Sequence, residues 1–94
     1  MIKNFRCKET EKIYKREFSK KFPLDIQKVA YRKLLMIESA IDIQDLKIPP
    51  ANRLEKLKGD RKGQYSIRIN KQFRVCFKWD TRGFAFDVEI VDYH

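Results

Sequence analysis

The sequence predicts an α+β fold in which two N-terminal helices pack on a small antiparallel sheet. Apolar residues recur at spacings of three and four in the first half of the chain and at a spacing of two beyond Pro50. Because the strands follow the helices instead of alternating with them, the sheet is expected to be an antiparallel meander. A length of 94 residues predicts one domain that spans positions 1–94.

The N-terminal segment is predicted to contain a short strand and a first helix. Residues 1–5 are expected to form the strand, and residues 9–18 the helix. The apolar side of this helix consists of three residues, Ile13, Tyr14 and Phe18. Pro23 then interrupts the chain before the next helix.

The main helix is predicted to begin at Asp25, whose carboxylate is expected to act as the N-cap. Its core-facing stripe recurs at spacings of three and four and consists of Ile26, Ala30, Leu34, Ile37 and Ile41. The helix is expected to fade across residues 39–45. Pro49 and Pro50 then predict an extended segment that leads into the strands.

Three strands are predicted at residues 64–70, 73–79 and 84–91, with a turn at 80–83 between the last two. Each strand alternates apolar with polar residues, so the helices are expected to cover one face of the sheet and leave a polar face open. The apolar residues are Tyr65, Ile67, Ile69, Phe73, Val75, Phe77, Trp79, Phe84, Phe86, Val88 and Ile90.

The alternation also predicts the register of the first two strands. A three-residue loop at positions 70–72 pairs apolar residues with apolar residues and sets Arg68 opposite Arg74. Directly opposed arginines repel each other, because their Cβ atoms are only about 5 Å apart. Either an anion normally lies between the two guanidinium groups, or both side chains turn into solvent.

The charge distribution points to a polyanionic partner. The chain has 22 Lys and Arg against 13 Asp and Glu, a net charge of +9. Residues 51–78 contain nine basic and two acidic residues, and several of the basic ones are predicted on the open face of the sheet. Such an excess of positive charge attracts nucleic acid and speeds encounter with it. The basic residues of the helical half are interpreted as solvated surface.

Several classes of protein are not expected. Cys7 and Cys76 stand far apart, with neither metal-ligand nor disulfide spacing. Neither a signal peptide nor a segment of membrane-spanning length is recognisable. The prediction is therefore a reduced, cytoplasmic protein with no metal, no cofactor and no membrane contact.

The chain contains a set of short motifs spread over nearly its full length. They are MIKNF at 1–5, PPANRL at 49–54, LKGDR at 57–61, GQYSIRIN at 63–70, FRVCF at 73–77 and VEIVDYH at 88–94. In these motifs, their spacing and the C-terminal ending, the chain resembles the HigB branch of the RelE-like bacterial toxins.

The resemblance implies a microbial-ribonuclease-like fold and a type II toxin that inhibits translation. Such toxins enter the ribosomal A site and cut the mRNA there, through attack of the ribose 2′-OH on the adjacent phosphorus, without a metal. The implied partners are the ribosome, its mRNA and a HigA-type helix-turn-helix antitoxin. The toxin contacts operator DNA only indirectly, through that antitoxin.

The residues supply candidates for this chemistry. Arg74 is expected to relieve negative charge at the phosphate, with help from Lys58. His94 is the only side chain of a type that titrates near neutral pH, and it is the candidate general acid. Tyr93 is expected to stack on a base or to bind the phosphate, and Asp92 to orient its neighbours.

One candidate residue departs from the family pattern, and a further set is expected to bind the RNA backbone. Some relatives carry a histidine where this chain has Glu55, so Glu55 is the candidate base. A carboxylate is a weak base at neutral pH, which predicts a slow enzyme. The candidate RNA-binding residues are Arg53, Arg61, Arg68, Asn70, Lys71 and Lys78.

Two other functions compete with the endoribonuclease. One is a catalytically weak module that binds RNA or the ribosome and blocks translation, or acts mainly as a corepressor with its antitoxin. The other is a general basic nucleic-acid-binding domain. The latter is disfavoured because most aromatic side chains are predicted in the core, where they form no stacking platform.

Overall fold

A computed structural model describes residues 1–93 of the chain. Its sheet is antiparallel, with the strands in chain order β1-β2-β3-β4, and the predicted α+β class is confirmed. In the described residues, no helix is both long and apolar enough to cross a bilayer. The elements are α1 (Lys8–Tyr14), α2 (Leu24–Ser39), β1 (Glu55–Lys56), β2 (Gln64–Arg68), β3 (Phe73–Asp80) and β4 (Phe84–Asp92), with short 3-10 turns at Ile43–Lys47, Pro50–Asn52 and Gly59–Arg61.

Helix α1 is shorter than the sequence predicts. It ends at Tyr14, and Arg16 has a positive φ of 63°, a backbone conformation outside the right-handed helix. Phe18 therefore lies beyond the helix with 60% of its surface exposed, and its assignment to the apolar side of the helix was wrong. Ile13 is buried as predicted.

Helix α2 contains the predicted apolar stripe except for Ile41, and it ends at Ser39, within the range 39–45 where it was expected to fade, but its start differs from the prediction. Pro23 occupies the N-cap position, and Asp25 lies in the first turn, where its charge complements the helix dipole without capping the helix. At the other end Ala40 is extended, so the helical period stops before Ile41, which is 80% exposed. The predicted roles of Asp25 and Ile41 were therefore wrong.

The remainder of the stripe forms the core with the covered face of the sheet. Leu34 and Ile37 on α2 are fully buried, as are Ile67 on β2 and Val75 on β3. The segment between α2 and β1 also contributes. An extended stretch was predicted after Pro50, but the chain forms a 3-10 turn there. This turn buries Asn52, whose side-chain amide donates a hydrogen bond to the backbone oxygen of Leu46.

Truncation of a core residue on α2 should destabilise the fold. Leu34→Ala is expected to lower the free energy of unfolding by about 2–5 kcal/mol, because it leaves a cavity at a fully buried site. Leu35→Ala is the matched control, since Leu35 is exposed and should change stability by no more than about 0.5 kcal/mol. Urea denaturation of both variants measures the difference, and equal midpoints would contradict the assigned helix face.

The predicted register of β2 and β3 is confirmed. Arg68 pairs with Arg74, and Ile67 with Val75. The loop between the strands is closed by Asn70, whose Oδ1 accepts hydrogen bonds from the backbone N–H groups of residues 72 and 73, both at 2.8 Å. The two opposed arginines are therefore neighbours across the strands.

The predicted face of the last strand is wrong in its first half. Asp87 and Val88 stand together opposite Phe77, which forms a bulge, and Asp87 has a φ of 53°. The extra residue reverses the alternation, so Ala85 and Val88 are both fully buried. Two side chains predicted to face the core are only half-buried: Phe84 and Phe86.

The N-terminal segment pairs with β4 through isolated bridges instead of a continuous strand. Ile2 bridges Ala85 and Phe5 bridges Val88, both in the parallel sense. Backbone hydrogen bonds of 2.8 and 3.0 Å accompany them. The predicted strand at residues 1–5 is thus reduced to two bridges, one to β4 before its bulge and one to Val88 in the bulge.

The polar face of the sheet is less open than the sequence predicts. Ser66 on β2 and Cys76 on β3 are fully buried, although both alternate with the core residues. Long side chains contact this face: Arg74 bonds Ser66, and Tyr93 approaches Cys76. The prediction of a freely exposed polar face was wrong, because these side chains cover its centre.

Candidate active site

A groove lies where β1, the β2–β3 loop, β3 and the end of the described chain meet. It encloses about 360 Å³. We call it the Arg74 groove. Four of its lining residues are cationic and one is acidic, so its field suits a phosphate group. Its lining residues are Arg53, Glu55, Arg68, Asn70, Lys71, Arg74 and Tyr93.

Arg74 is the most firmly held side chain of the groove. Its Nε donates to Ser66 Oγ at 2.8 Å, and its Nη2 donates to the backbone oxygen of Arg53 at 2.6 Å. Its Nη1 lies 3.7 Å from Glu55 Oε1, and only 11% of the side chain is exposed. A guanidinium has five N–H donors, so those not bound to Ser66 and Arg53 can serve a ligand.

The local fold explains this position. Register places Ser66 two pairs along from Arg68, diagonal to Arg74, so the guanidinium reaches across β2 toward β1. Arg53 has a φ of 45° at the end of the Pro50–Asn52 turn, and its carbonyl accepts the hydrogen bond from Arg74. The chain then continues into β1, where Glu55 pairs with Ser66.

Tyr93 brings a protonated hydroxyl to the groove. Burial, together with the neighbouring Cys76, raises the pKa of the Tyr93 phenol above its ordinary value, although Arg61 and Arg74 oppose the shift. Burial likewise raises the pKa of the Cys76 thiol, whose Sγ lies 3.8 Å from Tyr93 Oη. At neutral pH the Tyr93 hydroxyl therefore retains its proton and can donate it in a hydrogen bond to a phosphate oxygen.

Two candidate lysines lie outside the Arg74 groove. Lys58 is exposed and precedes the Gly59–Arg61 turn. Lys78 lies toward the other end of β3, and its Nζ is 3.2 Å from Asp87 Oδ2. The structure therefore does not bring either lysine to the side chains that surround Arg74.

Arg61 and Asp92 contact the sheet beside the groove. Arg61 donates to Glu89 Oε1 at 2.9 Å and to Gln64 Oε1 at 3.2 Å. Burial works against the charge of Arg61, but the hydrogen bond to Glu89 and the charges of Cys76, Glu89 and Tyr93 together raise its pKa. Asp92 accepts a hydrogen bond of 3.0 Å from Gln72. Both residues line a neighbouring groove instead of the Arg74 groove. The predicted residue His94 lies outside the described residues.

Sequence reasoning missed Ser66 as part of the site. Its hydroxyl is fully buried and fixes Nε of Arg74. The predicted register already placed Ser66 diagonal to Arg74, which was the available signal. Within residues 1–93, no cluster of three or more His, Cys, Asp or Glu side chains is placed to hold a metal ion.

Comparison with known proteins agrees with this fold. Residues 3–94 match the family described as the RelE-like toxin of the type II toxin–antitoxin system HigB. The chain belongs to the HigB-like toxins. This membership confirms the resemblance identified in the sequence motifs, and it implies that an antitoxin is a partner.

Two curated HigB proteins are similar to this toxin. Toxin HigB-1 of Vibrio cholerae serotype O1 is 40% identical over 80 residues, which cover 84% of each chain. Endoribonuclease HigB of Proteus vulgaris is 30% identical over 95 residues, which cover 100% of each chain. The similarity to the Proteus vulgaris protein therefore extends over the full length of both proteins.

Proposed function

We propose that this HigB-like toxin is an mRNA endoribonuclease that cuts within the ribosomal A site and thereby inhibits translation. The observation that carries the proposal is the Arg74 guanidinium, held by Ser66 and the Arg53 carbonyl in a groove rich in cations. A fixed arginine of this kind suits stabilisation of a phosphorane-like transition state. The name of the Proteus vulgaris relative, an endoribonuclease, supports the same activity.

The proposed reaction is internal transesterification. The ribose 2′-oxygen forms a bond to the adjacent phosphorus as its proton passes to a base. The bond from phosphorus to the 5′-oxygen breaks, and that oxygen takes a proton from a general acid. Because the nucleophile belongs to the RNA itself, the protein needs to supply alignment, charge relief and two proton transfers. No metal ion has a role in this scheme.

The groove and the sequence next to it supply a candidate for each role. Arg74 contacts the nonbridging phosphate oxygens, and Tyr93 donates its hydroxyl to the same phosphate. Glu55, whose side chain is 56% exposed, is the candidate base, and its Oε1 lies close enough to Arg74 to share the reacting group. His94 is the candidate acid, from its residue type and its place next to Tyr93 in the sequence.

The remaining candidates are proposed to act on the flanking RNA. Arg53, Arg68 and Lys71 line the Arg74 groove and are suited to neighbouring phosphates. Asn70 uses its Oδ1 to close the β2–β3 loop, so its proposed contact with RNA involves its amide nitrogen. The outer contacts are proposed for Lys58, Arg61 and Lys78, and Asp92 is proposed to orient the chain next to Tyr93.

The proposed partners follow from this activity. They are the ribosome, the mRNA in its A site and a HigA-type helix-turn-helix antitoxin, through which the complex would reach operator DNA. The proposed compartment is the cytoplasm, where translating ribosomes occur.

The Glu55 carboxylate supports a second candidate function. It stands where some relatives have a histidine, and it lies 3.7 Å from Nη1 of Arg74, where it partly neutralises the guanidinium. A toxin limited in this way could occupy the A site and block translation, or act as a corepressor with its antitoxin, with little cutting.

Expression of the chain alone should arrest bacterial growth and produce new mRNA 5′ ends inside translated codons. Primer extension on a reporter mRNA, with and without its start codon, measures this dependence on translation. Loss of all cuts in the untranslated control is expected. Stalled ribosomes without new 5′ ends would instead identify the blocker.

The same cleavage should leave a 2′,3′-cyclic phosphate, because the attacking oxygen is the 2′-OH. The 3′ end of the upstream fragment should resist ligation until a cyclic phosphodiesterase opens the ring and a phosphatase removes the resulting monophosphate. A 3′-hydroxyl end would rule out the proposed transesterification.

A further inference from the structure

A second groove lies on the other side of the β2–β3 loop, against helix α2. It encloses about 420 Å³. We call it the Lys33 groove. Four cationic residues line it: Arg32, Lys33, Arg68 and Lys71. The Arg74 groove contains Glu55, whereas the lining of the Lys33 groove includes no carboxylate. A concave surface with only positive charges attracts an anion.

The two grooves share one wall. Arg68, Asn70 and Lys71 line both of them, so the β2–β3 loop separates two basic depressions that a single chain could cross. Asn70 holds this loop in place through its hydrogen bonds to backbone N–H groups. A phosphate backbone that leaves the Arg74 groove over the loop would therefore enter the Lys33 groove.

Lys33 is an unusual buried cation. Only 6% of its surface is exposed, and its Nζ donates to Asn52 Oδ1 at 2.5 Å. Among the described residues, Lys33 has no carboxylate within ion-pair distance. Burial, with a smaller contribution from Arg32, lowers the pKa of Lys33.

This environment leaves the charge of Lys33 poorly compensated. A buried ammonium beside a neutral amide lacks the counter-charge that normally offsets its desolvation. The amide itself is held in place, since Asn52 Nδ2 donates to the Leu46 backbone oxygen at 3.1 Å. An anion in the groove would supply the missing negative charge.

We propose that the Lys33 groove binds a backbone phosphate of the RNA strand whose neighbouring nucleotide occupies the Arg74 groove. The identity of the anion as RNA rests on the proposed function, whereas the anion site rests on the cationic lining and the buried lysine. Val29 and Ile69 add apolar surface to the groove, which suits the ribose between two phosphates. The substrate is thus a strand of several nucleotides that crosses the β2–β3 loop.

Arg32→Gln tests the Lys33 groove without touching the Arg74 groove. Binding is measured with fully 2′-O-methylated RNA, which has no free 2′-OH and stays intact. The variant should weaken binding of a decanucleotide about fivefold at about 0.1 M salt, and reduce the slope of log K against log salt by about 0.7, the effect of one lost contact to a single strand. Binding of a dinucleotide, which fits one groove, should not change.

Lys28→Gln is the matched control. Lys28 is also exposed and cationic on α2, but it lines a groove between the helices instead of the Lys33 groove. It should leave the affinities for both RNA lengths as in the wild type. Lys71→Gln, which alters the wall shared by the two grooves, should weaken the binding of both the decanucleotide and the dinucleotide.

Three outcomes would overturn the proposal. If Arg32→Gln leaves decanucleotide binding unchanged, the groove does not hold RNA. If it weakens both lengths equally, or if Lys28→Gln has the same effect, the loss reflects net charge. Because these RNAs cannot be cut, a failure of the endoribonuclease would be seen separately, in the primer-extension experiment.

Discussion

Arg74→Ala is expected to reduce mRNA cleavage by about 10²–10³-fold, the usual effect of removing a donor aimed at transition-state charge. Arg74 has this importance because Ser66 and the Arg53 carbonyl already fix its guanidinium, so little reorganisation is needed when charge develops. Single-turnover cleavage on programmed ribosomes measures the loss.

The same substitution should also destabilise the protein, although Arg74 was predicted on an open polar face where its loss would matter little to the fold. It leaves the buried Ser66 hydroxyl and the Arg53 carbonyl without their donor, which costs about 1–3 kcal/mol. The ion pair with Glu55 adds little, because that carboxylate is largely exposed. Thermal denaturation should therefore show a lower midpoint but a single cooperative transition.

Two further variants separate the chemical effect from the structural one. Arg74→Lys retains the charge but loses the planar fork, so it should recover only part of the rate. Arg82→Ala removes an arginine that pairs with Asp80 at the β3–β4 turn, away from the groove, and should cut normally. Full activity of Arg74→Ala would show that another group neutralises the phosphate.

Much of the fold was predictable because it depends on local alternation. The period-two pattern and the three-residue loop determined the pairing of Arg68 with Arg74, which the structure confirms. The bulge at Asp87 was not predictable in this way, because one extra residue reverses the alternation without a change in residue type. The exposure of Ile41 was missed for a similar reason, since Ile41 fits the helical period but follows an extended Ala40.

The site was predictable in composition but less so in geometry. Residues of the sheet and its loop, including Arg68, Lys71 and Arg74, line one groove because register brings them together. Lys78 alternates with the core residues of β3 in the same way as Arg74, but it lies farther along the strand, next to Asp87. Long-range contacts such as Lys33 with Asn52 join segments that no periodicity relates, so the second groove could not be foreseen.

His94→Gln is expected to lower the single-turnover cleavage rate about a hundredfold or more, the scale of general acid catalysis. Glutamine keeps a polar side chain but cannot donate a titratable proton to the departing 5′-oxygen. Antitoxin binding should persist, as measured by co-purification. Tyr93→Phe is the companion variant: it removes only the hydroxyl that contacts Cys76 and is proposed to bind the phosphate, and it should cost less than the loss of the acid.

The pH dependence of the rate distinguishes an acid from a residue that merely positions RNA. An acid must be protonated to act, so the wild-type rate should be full below the histidine pKa, ordinarily about 6.5, and fall as pH rises through it. A bound phosphate would move this limb to higher pH, whereas cationic neighbours would move it to lower pH. In His94→Gln the limb should disappear. If the variant is slow but keeps the same pH profile, the proton comes from another group, and Tyr93, which stays protonated at neutral pH, becomes the leading candidate.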